Sequence, residues 1–208
     1  MRYAPIALAL VALLVAANPS LAVNEGTTLP LHVVIPLFPA CADAGDPCAP
    51  GGQIQLDTGT APFPNVFLLA RNFEALRGVQ TAFAWPGYGL LGQTWLCQGN
   101  QLAARVPQGP SGGPGEGTIA TVFDNVLGPD TAVIGFMTFQ GGTTGDCIVQ
   151  VESSFDNGTH VLSDLLIVTP VPAGNRGSVC NGPGGVNACE GAVPVEPSTW
   201  GSIKGQYR

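Results

Sequence analysis

The chain has 208 residues, and its 14 acidic residues outnumber 7 basic ones, so its formal net charge is −7. This balance argues against a surface built to bind nucleic acid or phosphate. Charged residues make up only 10% of the chain while glycine (29) and proline (19) are abundant. Such a composition favours many short strands joined by tight turns and leaves little room for helix.

The N-terminus has the pattern of a secretory signal peptide. Arg2 precedes an apolar run from Ile6 to Ala17, and small residues at Ser20 and Ala22 follow a polar break. The pattern predicts cleavage after Ala22, which makes residues 1–22 a signal peptide and places the mature chain outside the cell or at its surface. The apolar run is shorter than the ~20 residues that a membrane-spanning helix needs, so we expect no membrane span in the mature chain.

The next part of the chain predicts a series of short strands rich in branched and aromatic residues. In Val79–Trp85, apolar and small residues alternate, which places Val79, Thr81, Phe83 and Trp85 on one face. One buried face and one wetter face are typical of an antiparallel sandwich of two sheets. The predicted strands are Leu31–Phe38, Gln53–Leu56, Asn65–Ala70, Val79–Trp85, Leu90–Cys97, Leu102–Val106, Thr118–Phe123, Thr131–Gln140, Cys147–Glu152 and Val161–Thr169. Because Thr131–Phe139 is apolar on both faces, we place it centrally.

Other segments interrupt this strand pattern. Asn72–Arg77 predicts a single helical turn stopped by Gly78, and the Pro/Gly-rich stretch Pro107–Gly117 predicts an exposed loop. The composition changes again after Pro170. We therefore predict a β-sandwich domain at residues 23–170, a Gly/Pro-rich disulfide loop at 171–193 and a flexible tail at 194–208.

All six cysteines follow the predicted cleavage site: Cys41, Cys48, Cys97, Cys147, Cys180 and Cys189. An even number of cysteines in an exported chain predicts disulfide bonds. Cys41 and Cys48 are close in sequence, as are Cys180 and Cys189, so we predict these two pairs and a third between Cys97 and Cys147. Zinc is the alternative, but the short Cys-x-x-Cys clasp that is usual in structural zinc sites is missing.

The sequence offers little for catalysis. The only histidines are His32 and His160, and the sequence contains neither a Gly-x-Ser-x-Gly nor a His-Glu-x-x-His motif. Asp164 lies four residues after His160, which on a strand separates the two by about 13 Å, too far for a hydrogen bond. We therefore predict no catalytic residues and no enzyme.

Acidic residues are the candidates for a metal or for acid–base chemistry on sugars: Asp124, Asp130, Asp146, Glu152 and Asp156. Turns account for several of them, because Asp and Asn adopt turn geometry readily. Calcium remains an alternative, although no Asp-x-Asp-x-Asp-Gly pattern is present. We predict no bound cofactor, with calcium as the exception to test.

Aromatic residues suggest a second kind of site. Trp85, Tyr88 and Trp95 surround a Pro-Gly turn, and exposed rings in a row would stack on a polysaccharide. Trp85 continues the face of Phe83 and Trp95 lies near Cys97, so core packing is the alternative for both. Tyr88 is predicted to be exposed, and Tyr88 with Trp85 forms the candidate ligand-binding pair. Asn157-Gly-Thr159 matches a glycosylation acceptor and also a plain turn.

Four segments carry a resemblance to a known family: Val66–Phe73, Leu76–Phe83, Thr118–Asp124 and Ala132–Phe139. Together, roughly Thr28 to Thr169 resembles a cohesin module, a nine-stranded jelly-roll sandwich of bacterial cell-surface and cellulosome scaffold proteins. Cohesins bind calcium-dependent dockerin modules through one sheet face, and related sandwiches bind carbohydrate. The chain departs from the family at Ala84-Trp-Pro86, where cohesins commonly have Tyr-Asp-Pro, and in its cysteines. The resemblance implies the architecture and a recognition role, and no individual binding residue.

The C-terminal segment Thr199–Arg208 is similar to short endings that recur on exported bacterial proteins. It predicts either a sorting or surface-attachment signal or a disordered terminus.

The functional expectation is a secreted, non-enzymatic recognition or structural module that binds an extracellular protein partner. A carbohydrate-binding module that binds a polysaccharide is the alternative, and a secreted hydrolase comes third.

Overall fold

A computed structural model describes residues 24–98, 101–105, 115–152 and 158–190, with the backbone alone at residues 101–105 and 130. Four predicted features lie wholly or partly outside the described residues: signal peptide 1–22, tail 194–208, most of the loop at 107–117, and Asp156 with the sequon's Asn157. Eleven strands are described: β1 (Leu31–Val34), β2 (Asn65–Phe73), β3 (Leu76–Trp85), β4 (Tyr88–Thr94), β5 (Gln101–Arg105), β6 (Gly115–Leu127), β7 (Asp130–Gly141), β8 (Cys147–Val151), β9 (His160–Leu162), β10 (Val168–Pro170) and β11 (Ser178–Cys180).

The strands form two antiparallel sheets. The smaller sheet has the order β1-β2-β7-β4, and the larger has the order β10-β9-β3-β6-β5. One edge of β3 pairs with β9 through Gly78–Gln80 and with β8 through Ala82–Ala84, and β8 also pairs with β11. The predicted all-β, two-sheet sandwich stapled by disulfides is confirmed.

The core between the sheets follows the predicted alternation. Val79, Thr81, Phe83 and Trp85 are all buried, while Gln80 on the opposite face of β3 is half-buried. β7 lies between β2 and β4, so the predicted central position of Thr131–Phe139 is confirmed.

Three predictions about elements need correction. Asn72–Arg77 is no helical turn; β2 runs to Phe73 and β3 begins at Leu76, and this link crosses from one sheet to the other. Val161–Thr169 is two strands, β9 and β10, joined by a turn at Leu166, whose φ is 60°. Gln53–Leu56 is no strand but runs beside β1, where Val33 N–H donates to the Gln55 carbonyl (2.9 Å).

Strand β11 was not predicted from the sequence, because its three residues give too little alternation to recognise. Within the predicted loop 171–193, β11 joins the larger sheet, and Val171 and Val179 are buried in the main core.

All six cysteines form disulfides, but the predicted pairing is wrong at every bond. The structure pairs Cys41 with Cys97, Cys48 with Cys189 and Cys147 with Cys180. Closeness in sequence did not decide the pairing because neighbouring cysteines lie on elements that face different partners. Cys147 and Cys180, for example, lie opposite each other in the β8–β11 register.

A second apolar cluster covers the outer face of the smaller sheet. Phe67, Leu69 and Phe136 point away from the main core and pack with Ala44. Ala44 belongs to a short 3-10 helix, Cys41–Ala44, which the Cys41–Cys97 disulfide ties to the chain after β4. The chain itself therefore closes this face of the sandwich.

No helix in the described part of the chain is long and apolar enough to span a membrane.

Candidate functional site

The aromatic pair proposed for ligand binding is inside the sandwich. Tyr88 is only 1% exposed and Trp85 is fully buried, so the predicted exposure of Tyr88 is wrong. The Tyr88 hydroxyl lies 2.9 Å from Oγ1 of the buried Thr58 and donates to the Asp146 carbonyl at 3.4 Å. Tyr88 begins β4, and its ring packs against Phe139 with 6.0 Å between ring centroids.

Burial raises the pKa of the Tyr88 phenol, and the nearby carboxylates of Asp146 and Asp57 raise it further, while the hydrogen bond with Thr58 opposes this. Tyr88 is therefore a residue of the hydrophobic core and not part of an exposed binding surface. Trp95, the third aromatic of the group, is also buried, and its Nε1–H donates to Gln93 Oε1 at 2.8 Å.

The two histidines lie in different sheets. His32 is on β1 of the smaller sheet, where its Nδ1 accepts the Gln55 backbone N–H at 3.0 Å, and burial lowers its pKa. His160 is on β9 of the larger sheet. Asp164 lies in the turn after β9, where its Oδ1 accepts the N–H of Leu165. The structure therefore does not bring the histidines together.

The acidic residues of the sequence are also dispersed. Asp124 is exposed on β6. Asp146 accepts the N–H and the hydroxyl of Thr143, and these bonds lower its pKa. Glu152 pairs with Arg176. Within the described ranges, no three His, Cys, Asp or Glu side chains are grouped so as to hold a metal ion. Calcium binding stays a prediction.

The exposed feature that distinguishes this sandwich is the outer face of the larger sheet. Its centre is a shallow apolar groove of about 180 Å³ where β6, β3 and β9 run side by side. Gly78 lines the groove. A larger residue would clash there, because a Cβ at this position would lie 2.7 Å from the Thr121 carbonyl oxygen. The apolar side chains around it are Ala120, Val122, Leu162 and Val168, and Gln80 and His160 add polar side chains to the lining.

Several of these side chains are open to solvent. Val122 is 41% exposed and Val168 is 59% exposed. The apolar surface continues into the turn between β9 and β10, where Leu165 and Leu166 are exposed. No described segment packs over this face as the 3-10 helix does over the other sheet.

The outward-facing side chains of β6 form a row with an acidic residue at each end. Along β6, alternate residues share the outer side of the sheet, and the row reads Glu116, Thr118, Ala120, Val122, Asp124. Both acidic residues are exposed. The face is therefore an apolar strip with an acidic residue at each end.

These residues were not predicted from the sequence. A usable signal was present in Thr118–Phe123, because both alternating sets of that strand contain apolar residues. A strand of this kind at the surface, and not at the centre of a sheet, leaves apolar side chains exposed.

Fold and surface together define an all-β, two-sheet sandwich with one covered and one open outer face. No protein-family model and no curated protein sequence matches the chain. Solved structures similar to it include the second type II cohesin module of the adaptor ScaA scaffoldin of Acetivibrio cellulolyticus, with a TM-score of 0.42 and 8% identity over 55% of this chain and 78% of that chain. A cohesin module from a Clostridium perfringens family 33 glycoside hydrolase is also similar, with a TM-score of 0.44 and 6% identity over 69% and 90% of the two chains.

Both of these structures are cohesin modules, the class that the quoted segments resemble. We transfer no binding residue from them.

Proposed function

We propose that this chain is a secreted, non-enzymatic recognition module that binds a protein partner through the outer face of its larger sheet. The observation that carries the proposal is the difference between the two outer faces. Both sheets have apolar residues on their outer sides, but the described residues cover only the face of the smaller sheet. An exposed, contiguous apolar patch with a polar rim is typical of a surface for another protein.

The chemistry of the strip specifies the partner. A complementary surface has apolar side chains at its centre, to fill the groove at Gly78, and basic residues where it meets Glu116 and Asp124. Such charge complementarity speeds association and aligns the partner. The net charge of −7 adds to the attraction for a basic partner surface.

Carbohydrate binding has less support. The sugar-binding alternative rested on ring stacking by Tyr88 and Trp85, and both rings are buried. Every Trp and Tyr among the described residues is buried, and the groove on the open face is lined mainly by aliphatic side chains, with Gln80 and His160 beside them.

Secretion is part of the same proposal. It rests on the signal-peptide pattern of residues 1–22 together with three disulfides, which form and persist in oxidising compartments.

The test starts with the disulfide-bonded chain immobilised as bait for proteins of the source organism's extracellular fraction. Each captured protein is purified, and its Kd for the chain is measured by calorimetry. Variants Val122→Asp and Val168→Asp place a charge in the strip, and we expect each to weaken binding at least about tenfold, because a charge buried in an interface without a partner is unfavourable.

Val186→Asp is the matched control, since Val186 is 48% exposed but does not line the groove. It should leave the Kd unchanged. Equal binding by wild type, Val122→Asp and Val168→Asp would contradict the proposal. Retention on insoluble polysaccharide that both strip variants preserve would contradict it as well.

A further inference from the structure

A second concave site lies away from the open face, beside the Cys48–Cys189 disulfide. It is a cavity of about 450 Å³. The loop Asp46–Pro50, the end of β2 at Arg71–Phe73 and the turn between β6 and β7 contribute its lining. Pockets for small molecules are generally ~300–1,000 Å³, so this cavity is large enough for a ligand the size of a monosaccharide or an amino acid.

The cavity contains an arginine, Arg71, that has no anionic partner among the described residues. Arg71 lines the cavity and is half-buried, and its guanidinium forms no ion pair with any described residue. The ion pair found within the described part of the chain belongs to Arg176 and Glu152. A planar guanidinium matches a carboxylate in a two-pronged hydrogen bond.

Asp46, which also lines the cavity, supplies hydrogen-bond acceptors. Asp46 Oδ1 accepts the Cys48 N–H at 3.2 Å and the Thr131 hydroxyl at 3.0 Å. These bonds orient the exposed carboxylate, and its other oxygen, Oδ2, accepts no hydrogen bond from a described residue. A fixed negative charge here disfavours a multiply charged anion such as phosphate, while it favours a ligand that also brings a donor.

Covalent and hydrogen bonds hold these groups in place before a ligand arrives. The disulfide links the loop that carries Asp46 to Cys189, and the Asn72 side chain donates to the Cys189 carbonyl at 3.4 Å. Asn72 has a φ of 58°, a left-handed conformation that Asn tolerates better than most residues. A pre-organised site of this kind loses less entropy on binding.

We propose that this cavity binds a small monocarboxylate that carries a hydroxyl or ammonium group. Arg71 binds the carboxylate, and Asp46 accepts a hydrogen bond from the second group. A uronic acid, a hydroxy acid and an amino acid share this chemistry. The site is separate from the protein-binding face, so either proposal can fail without the other.

The experiment is an NMR titration of the full disulfide-bonded chain with three separate probes: galacturonate, lactate and glycine. At least one probe should give saturable shifts of the Arg71, Asn72 and Thr131 signals. The probe that does so shows whether the ligand is a uronic acid, a hydroxy acid or an amino acid. Galactose has the ring without the carboxylate and should give none. Phosphate should bind more weakly than the best acid.

Arg71→Gln should weaken binding of that acid at least about tenfold. Arg77→Gln is the matched control, because Arg77 is a half-buried arginine on β3 that does not line the cavity, and it should change the affinity less than twofold. Asp46→Asn leaves Arg71 in place and should reduce the ratio of the affinity for the acid to the affinity for phosphate. This variant tests the role of Asp46 even if Arg71→Gln fails to fold.

The proposal is overturned if none of the three acids gives saturable shifts at the cavity. It is also overturned if galactose binds as well as galacturonate, or if both arginine variants weaken binding equally. Phosphate binding tighter than every acid would overturn it too.

Discussion

The disulfide pairing gives a sharp test of the fold. The double variant Cys48→Ser/Cys189→Ser removes the bond that closes the longest loop, with a sequence separation of 141. In the chain-entropy account, a cross-link over a loop of this length stabilises by about 5 kcal/mol at 25 °C. Typical domains have a free energy of unfolding of ~5–15 kcal/mol, so we expect a large loss in a urea titration.

The same variant reports on the pairing through its thiols. In the structure, Cys48 and Cys189 are partners, so their removal leaves every remaining cysteine bonded. If the cysteines close in sequence were partners instead, the variant would leave Cys41 and Cys180 without partners. Thiol titration in denaturant separates the two cases, because the first gives no reactive thiol and the second gives two.

A matched control is Cys147→Ser/Cys180→Ser, whose loop has a separation of 33. It should also expose no thiol, and it should lose less stability, about 4 kcal/mol on the same account. Two reactive thiols in the Cys48→Ser/Cys189→Ser protein, or wild-type stability in that protein, would refute the pairing and the placement of β11 that depends on it.

Three further substitutions test the core, a turn and the open face. Tyr88→Phe should lower the free energy of unfolding by about 1 kcal/mol, because it removes the hydroxyl 2.9 Å from Thr58; urea denaturation measures the loss. Asp57→Asn should remove part of the acid sensitivity of stability, because N–H groups of Gly59 and Gly182 lower the pKa of Asp57 from its usual 3.8; unfolding curves at a series of acidic pH values measure it. Gly78→Ala should destabilise by about 1–3 kcal/mol, because its Cβ would meet the Thr121 carbonyl oxygen at 2.7 Å, whereas Gly92→Ala, with open space, is the control in the same urea experiment.

The signs of the pH effects follow from linkage. The folded state raises the pKa of Tyr88, so the associated stability is present below pH ~10 and is lost as the pH rises through the folded pKa. Tyr88→Phe should lack this alkaline loss. The folded state lowers the pKa of Asp57, so its contribution is present above the unfolded value and is lost as the pH falls through the folded pKa. An unchanged alkaline profile for Tyr88→Phe, an unchanged acid profile for Asp57→Asn, or equal effects of Gly78→Ala and Gly92→Ala would contradict these assignments.

Local patterns in the sequence predicted much of the architecture. The alternation in Val79–Trp85 identified the buried face of β3, and the two-sided apolar run identified the central strand β7. Both features follow from the alternation of side chains within one strand, and this alternation can be read directly from consecutive residues in the sequence. The even number of cysteines also predicted complete disulfide formation, because each cysteine needs only a second cysteine and an oxidising compartment.

Long-range packing decided what the sequence could not. Tyr88 follows a Pro-Gly turn that reads locally as exposed, but the link from β3 to β4 crosses between the sheets and points the ring inward. Which outer face stays open depends on where the 3-10 helix Cys41–Ala44 docks. Arg71 and Asp46 line one cavity because Cys48 is bonded to Cys189, far along the chain.

The sequence by itself therefore determined the class of fold, the buried residues of its regular strands and the presence of disulfides. The partners of the cysteines, the burial of Tyr88 and both candidate sites emerged only from the tertiary structure. The physical reason is that side-chain period is a property of consecutive residues, whereas each cysteine bond and each surface here joins elements that only the pairing of the strands brings together.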